Sequence, residues 1–357
     1  MAPIAPPPAG RAARSNASGR FEPLAREAID DGWGEGDPEP EQIKTHVTIE
    51  TPRTIISRNA SPDVGFDRSI NPYRGCEHGC IYCFARPTHA YMGLSPGIDF
   101  ETRLFAKPSA ARLLEAELAK PGYQARPIAM GTNTDPYQPI ERRYQTTRQI
   151  LEVLLRVRHP VTIVTKSNLV VRDIDILAEM ARLNLARVAL SVTTLDRNLA
   201  RSMEPRAPTP ERRIAAIRAL GAAGVPVAVM VAPVVPGLTD HEMETILERA
   251  AEAGATMGAY ILLRLPLEIK DLIREWLEAN APGHAKRVIS LIRSMRGGQD
   301  YDAGFGTRMK GEGPYAQMLA KRFALAAARL GFDRPRPPLD VSLFVPPRRS
   351  SPQLNLF

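Results

Sequence analysis

From residue 110 onward the chain alternates between two hydrophobic periodicities. Apolar runs rich in Val and Ile at 127–130, 161–164, 186–192, 225–231 and 259–263 have the length and composition of buried strands. Between and after them, 110–119, 142–157, 172–183, 210–223, 241–253 and 267–279 carry apolar residues at helical spacing, as at Ile150, Leu151, Leu154 and Leu155. Gly224 and Gly254 follow two of these stretches as C-terminal stops. A further apolar strand at 70–73 makes six strand–helix units, too few to close an eight-stranded barrel. The pattern therefore predicts an α/β fold, an open partial (β/α)6 barrel, with extra C-terminal helices near 285–295 and 315–330. In such barrels the residues at the C-terminal ends of the strands face the site.

The ends of the chain read differently. Residues 1–45 open with Pro and Ala and continue through the acidic, Gly-containing 30–41, which predicts a disordered or loosely held arm. Residues 46–66, with Val47, Ile49, Ile55 and Ile56 between polar neighbours, form a lead-in that covers one end of the core. The folded domain is then 46–331, and 332–357 is a Pro- and Arg-rich disordered tail.

Composition adds a boundary rather than an identity. At 44% apolar and 24% charged residues the chain has ordinary globular usage. No N-terminal apolar run suits an export signal, and no stretch of about 18 apolar residues suits a membrane span, so the expectation is a cytoplasmic protein with no membrane partner. The net charge of +8 and pI near 9.6 suit a polyanionic partner, and equally an Arg-rich proteome.

All three cysteines lie in one eight-residue run, Cys76-Glu-His-Gly-Cys80-Ile-Tyr-Cys83. An odd number of thiols packed this closely argues against a disulfide framework and for a reducing compartment. Three thiolates in C-x3-C-x2-C spacing wrap one metal centre and leave a four-site centre one ligand short. An iron–sulfur electron carrier uses a fourth thiolate, so a [4Fe-4S] cluster held here keeps one iron free for a small molecule. The alternative is a zinc site with three Cys and one His, completed by His78 or His89, serving a nucleic-acid-binding module without turnover.

The same run, placed just after an apolar strand and with aromatic Tyr82 before the last cysteine, resembles the signature of the radical S-adenosylmethionine (SAM) superfamily. That resemblance implies a TIM-like partial barrel, a [4Fe-4S] cluster on Cys76, Cys80 and Cys83, and SAM chelated to the free iron. It also implies an electron-donating reductant and cleavage of SAM to a 5'-deoxyadenosyl radical, with Tyr82 packing beside cluster and adenine. The strand ends 131–139, 165–167, 191–194 and 231–233, with the loop 204–208, resemble the spore photoproduct lyase-like branch over about 57–331. By position, Thr134, Lys166 and Ser191 match the residues that in those lyases hold the amino-acid moiety of SAM. A lysine supplies a point charge to a carboxylate and hydroxyls supply directional hydrogen bonds. Each also has a plain reading, as a solvated lysine or a turn-capping hydroxyl. Glu204 and Arg206, two residues apart, are expected to pair with each other if they have no role at the site.

One departure limits the analogy. The lyases carry a hydrogen-donating cysteine in a Cys-Thr-Ser-Asp run, and the matching run here is Thr132-Asn133-Thr134-Asp135. A threonine O–H bond is too strong to return a hydrogen atom to a carbon radical. Tyr137 is the weak remaining donor candidate, since phenols give up hydrogen atoms, with core packing as its alternative.

The last five residues, Gln353-Leu354-Asn355-Leu356-Phe357, resemble the linear motif by which bacterial repair and replication proteins hold the DNA sliding clamp. In that motif Leu354, Leu356 and Phe357 supply the apolar contacts and Gln353 a rim hydrogen bond. The alternative is a tail docked on its own domain. Basic charge and this tail favour a radical SAM enzyme acting on DNA in repair or modification; the same core serves RNA, a peptide or a metabolite equally well.

Overall fold

The computed structural model describes residues 8, 10–24 and 43–347. In chain order the strands are β1 (His46–Ile49), β2 (Ile56–Arg58), β3 (Arg68–Ile70), β4 (Tyr73–Arg74), β5 (Arg103–Ala106), β6 (Ile128–Met130), β7 (Val161–Thr165), β8 (Ala186–Ser191), β9 (Val227–Val234) and β10 (Met257–Leu262). The main sheet runs β10-β9-β8-β7-β6-β3-β2, parallel throughout except for β2, which pairs antiparallel with β3 at the edge. Six parallel strands in chain order, each followed by a return crossing, give the open (β/α)6 barrel that the periodicity predicts. The lead-in 46–66 supplies β2 to this sheet and β1 to a small second sheet, β1-β5-β4, beside the cysteine loop.

Residues of β7, and of β9 as far as Ala232, alternate between buried and half-buried positions, as the period of two requires. Helices Ala110–Leu118, Thr146–Arg156, Ile174–Arg182, Pro210–Ala222 and Met243–Glu252 bury their apolar stripes with the strands in one cluster that includes Ile150, Leu154, Ile163, Leu190, Val229 and Ile246. The stretch expected at 142–157 is interrupted: Gln145 adopts φ 50°, and the buried Glu141 carboxylate accepts the Thr147 N–H at 3.0 Å to restart the helix.

The sixth helix departs from the simple repeat. Ile269–Asn280 does not back β10; its Leu272, Ile273, Trp276 and Leu277 pack with Cys80, Ile81 and Tyr82 in a second apolar cluster. Gly313–Arg329 takes the outer place instead, with Phe323 against Tyr260 of β10 at 4.9 Å. Apolar periodicity says that a helix has a buried stripe, not which surface receives it.

Both terminal expectations need correction where the chain is described. Residues 10–24, assigned to the loosely held arm 1–45, lie against the core: Ala12 and Ala13 are buried in the cluster that holds Cys80. Residues 332–347, assigned to the disordered tail, run beneath the N-terminal ends of the strands. There Phe344 packs against the rings of Tyr123 and His159, edge-on to the latter, Asp340 N–H bonds Asn184 O, and Val345 N–H bonds Val157 O. Their prolines restrict the free chain, so docking costs less entropy than for an ordinary coil. The motif 353–357 lies outside the described residues. Among the described residues no helix is long and apolar enough to cross a membrane.

Candidate metal and cofactor site

The three cysteines follow β4 at the C-terminal end of β3, in a loop whose turns depend on glycine. Gly79 has φ 67°, and a Cβ there would lie 2.7 Å from Glu101 Oε2. Within the loop, Gly79 N–H bonds Cys76 O and Cys83 N–H bonds Cys80 O, each at 3.2 Å. Cys76 N–H reaches Phe100 O and Ile81 N–H reaches Met203 O, each at 3.0 Å. Cys76 and Cys80 are buried and Cys83 half-buried.

An ion pair that is wholly buried fixes this loop from behind. Arg86 and Glu101 are both 0% exposed and meet at 2.5 Å. Arg86 also donates to Cys80 O, Gly79 O, Pro96 O and Gly97 O, so that its fork is fully used. Glu101 accepts the Ala12 N–H at 3.1 Å and the Ala13 N–H at 3.0 Å, while Arg11 bonds Glu101 O. Residues 11–13 thus form a strap across the back of the cysteine loop. Neither Arg86 nor Glu101 emerges from sequence patterning, because nothing in a single chain pairs an arginine with an acid fifteen residues away.

A second network holds the loop from the barrel side. The Tyr82 hydroxyl donates to Glu204 and lies 3.1 Å from Thr193 Oγ1. Thr193 donates to the same carboxylate, and Arg213, buried, closes on its other oxygen. Glu204 and Arg206 therefore do not pair with each other: Arg206 bonds Glu77 at 3.0 Å. Glu204 is delivered by the short helix Arg197–Met203, which apolar periodicity did not predict because it spans only two turns.

The strand-end residues divide into two groups. The Thr134 hydroxyl donates to Gly75 O at 2.7 Å and accepts from Gln138, whose Oε1 receives the Glu77 N–H. Thr134 is thus committed to holding the cysteine loop. Asp135 accepts from Thr165 Oγ1, the Lys166 N–H and the Tyr137 N–H. Its burial pushes the carboxyl up, but His78 at 3.3 Å and these hydrogen bonds outweigh that and hold it down at about 2. The close crossing of β6 and β7 above it depends on Gly131, where a Cβ would sit 1.9 Å from Val164 O. Thr132 stands 3.3 Å from Asn71 Oδ1.

Lys166 and Ser191 are different. Lys166 Nζ stands 5.4 Å from the centre of the Tyr82 ring and, among the described residues, has no acid or carbonyl partner. Ser191 is 4% exposed and its carbonyl takes Arg213, while its hydroxyl has no partner among the described residues. Tyr137 is placed elsewhere: it is fully buried in the main apolar cluster beneath Arg172, so the hydrogen-donor candidate is a core residue.

The donor set itself tests what the loop can hold. Burial pushes all three thiols up, and the Lys166 charge pulls Cys80 and Cys83 part of the way back. A bound cation centre would replace those protons. Among the described residues no three Cys, His, Asp or Glu side chains converge on a single-ion point. His78 faces Asp135 and His89 Nε2 meets Arg103 O at 2.9 Å, so neither completes the zinc tetrahedron. Three thiols on one loop, with neither histidine turned to join them, suit the ligand set of a cluster, and the Lys166 ammonium and Ser191 hydroxyl remain without partners among the described residues.

Comparison with known proteins agrees with this geometry. A family model described as the radical SAM superfamily matches residues 70–250. An uncharacterized protein of Mycobacterium tuberculosis (strain ATCC 25618 / H37Rv) is 38% identical over 291 residues, covering 79% of this chain and 80% of the relative. An uncharacterized protein of Methanocaldococcus jannaschii is 29% identical over 213 residues, covering 60% of this chain and 76% of the relative. Among solved structures, spore photoproduct lyase complexed with dinucleoside spore photoproduct superposes with a TM-score of 0.59 at 15% identity, over 80% of this chain and 79% of that chain. At that identity the likeness shows the fold.

Proposed function

Because this chain belongs to the radical SAM superfamily, we propose that it binds a [4Fe-4S] cluster on Cys76, Cys80 and Cys83 and reductively cleaves SAM to act on DNA. The observation that carries the reading is one loop with all three thiols of the chain, beside a lysine that has no acid or carbonyl partner among the described residues. When bound, the cluster supplies the electron that breaks a C–S bond of SAM; the protein's own part is to hold, orient and shield.

Lys166 Nζ supplies a fixed positive charge for the SAM carboxylate and the Ser191 hydroxyl a directional hydrogen bond. Tyr82 presents its ring beneath Lys166 and is locked there by Glu204 and Thr193, so ring and charge are set before the ligand arrives. Thr134 acts at one remove, through Gly75 O. The small sheet, the strap 11–13 and the helix Ile269–Asn280 exclude water from the back of the loop.

DNA as substrate is supported by the net charge of +8 and by the fold shared with a lyase complexed with dinucleoside spore photoproduct. Thr132 in place of a thiol points away from reversal of thymine dimers and toward another repair or modification step. The clamp-like residues Gln353, Leu354, Leu356 and Phe357 favour a replication or repair setting. The test is oxygen-free reconstitution, dithionite reduction and addition of SAM, with 5'-deoxyadenosine measured with and without intact or damaged DNA. Release that needs all three cysteines and rises with DNA supports the proposal. No release from a reduced, intact cluster refutes it.

A further inference from the structure

At the C-terminal end of β10, on the rim next to the cysteine loop, Arg264 lacks the partners a guanidinium normally has. Its Cζ lies 5.3 Å from the ring centre of Phe84, the residue after Cys83, and 5.9 Å from that of Tyr301. Nη1 meets only Met309 Sδ at 3.4 Å and Nη2 only the Tyr301 hydroxyl at 3.3 Å; Nε is buried and has no hydrogen-bond partner. Behind it Arg296, 5% exposed, bonds only the backbone carbonyls of Thr307 and Leu263. Among the described residues neither arginine has a carboxylate at ion-pair distance; burial holds the Arg296 pKa below its usual value, Asp302 partly offsets this, and Arg264 adds to the lowering. A buried N–H without an acceptor beside a second unpaired cation is costly, and such a deficit is removed when an anion arrives. Phe84, 49% exposed, offers a ring face at the same place.

We propose that Arg264, flanked by Phe84 and Tyr301, is the recognition site for a nucleotide unit of the substrate, the guanidinium taking the phosphate and Phe84 the base. Anion and planar ring are the two chemistries the cluster offers together, and a nucleotide carries both. This deepens the reading above and rests on it for treating the barrel mouth as the reactive face. The loop carrying Tyr301 and Met309 is fixed at both ends of its span: Asp300 pairs with Arg274 and Arg293 at its start, and at its end Met309 O accepts the Leu262 N–H at 2.9 Å and Arg308 bonds Asp63. The site is therefore formed before ligand enters.

The test is fluorescence anisotropy of the full-length reconstituted protein, without oxygen, with a labelled single-stranded oligodeoxynucleotide of about ten nucleotides as probe and thymidine 5'-monophosphate as competitor. Arg264→Ala and Phe84→Leu are each expected to weaken binding by about tenfold or more. Arg264→Lys should recover part of the loss, and Arg218→Ala, an exposed arginine on the outer helix Pro210–Ala222, should change nothing. Competition by the mononucleotide assigns recognition to a single unit, and competition only by unlabelled oligonucleotide assigns it to a unit within a polymer; both support the proposal. Wild-type protein that binds neither, or equal weakening by Arg264→Ala and Arg218→Ala, overturns it. Circular dichroism and the melting temperature monitor folding, and Phe84→Leu carries the test if Arg264→Ala unfolds. Wild-type protein that cleaves SAM but does not bind nucleotide sinks this assignment alone, and wild-type protein that binds nucleotide without cleaving SAM sinks the enzymatic reading alone.

Discussion

The two faces of the cysteine loop are built on opposite principles. Behind it, Arg86 and Glu101 are fully buried and every donor of the guanidinium has an acceptor, four of them backbone carbonyls. In front, among the described residues, Lys166 has only an aromatic ring beneath it, the Ser191 hydroxyl has no partner, and Arg264 leaves Nε unpaired. Desolvated charges are tolerable when answered and costly when not, so the contrast separates residues that hold shape from residues that wait for a ligand. Thr134 falls on the first side although its sequence position suggested the second, since its hydroxyl is already spent on Gly75 O.

The contrast breaks most severely if the thiols are not the ligands. Cys80→Ala is expected to abolish cluster absorbance and all release of 5'-deoxyadenosine; retained activity would remove the central claim. Next in size is Glu101→Gln, which leaves the Arg86 charge buried with a neutral partner. The expected cost is roughly 3–5 kcal/mol if the pair is broken outright and less if the amide keeps a hydrogen bond. Loss of cluster during desalting, with far-ultraviolet circular dichroism unchanged, would place the effect in the loop, whereas a variant that keeps its cluster as the native protein does would show the rear network to be dispensable. Lys166→Met tests the front and should weaken SAM binding by about tenfold without reducing cluster content, as expected when one charge-assisted contact is lost. Unchanged SAM affinity, measured by equilibrium dialysis, would return Lys166 to the ordinary surface lysines. The smallest effect on the core is expected from deleting 353–357: SAM cleavage should stay the same while any affinity for the sliding clamp disappears, and clamp affinity that survives the deletion would place the contact elsewhere.

Most of the barrel was legible because strand and helix periodicities depend on neighbours a few residues apart. Ile150, Leu151 and Leu154 mark one buried face whatever the rest of the chain does. The cysteine motif was legible for the same reason, since Cys76, Cys80 and Cys83 are near in sequence and rare in composition. Glu204 and Arg206 were not, because their partners, Arg213, Tyr82 and Glu77, are chosen by how the Arg197–Met203 helix meets the cysteine loop. The strap 11–13 was hidden by its composition: Ala12 and Ala13 look like part of a Pro/Ala-rich arm until Glu101 presents a carboxylate to their N–H groups.

By itself, the sequence determined the order of strands and helices, the C-x3-C-x2-C run and the threonine at position 132, all of which are properties of residue type and local spacing. Only the tertiary structure decided which polar residues are already satisfied and which are not. Hydrogen-bond satisfaction and burial are set by groups that converge from distant parts of the chain, so Thr134 and Lys166, alike as strand-end residues, part company only once the barrel has closed around them.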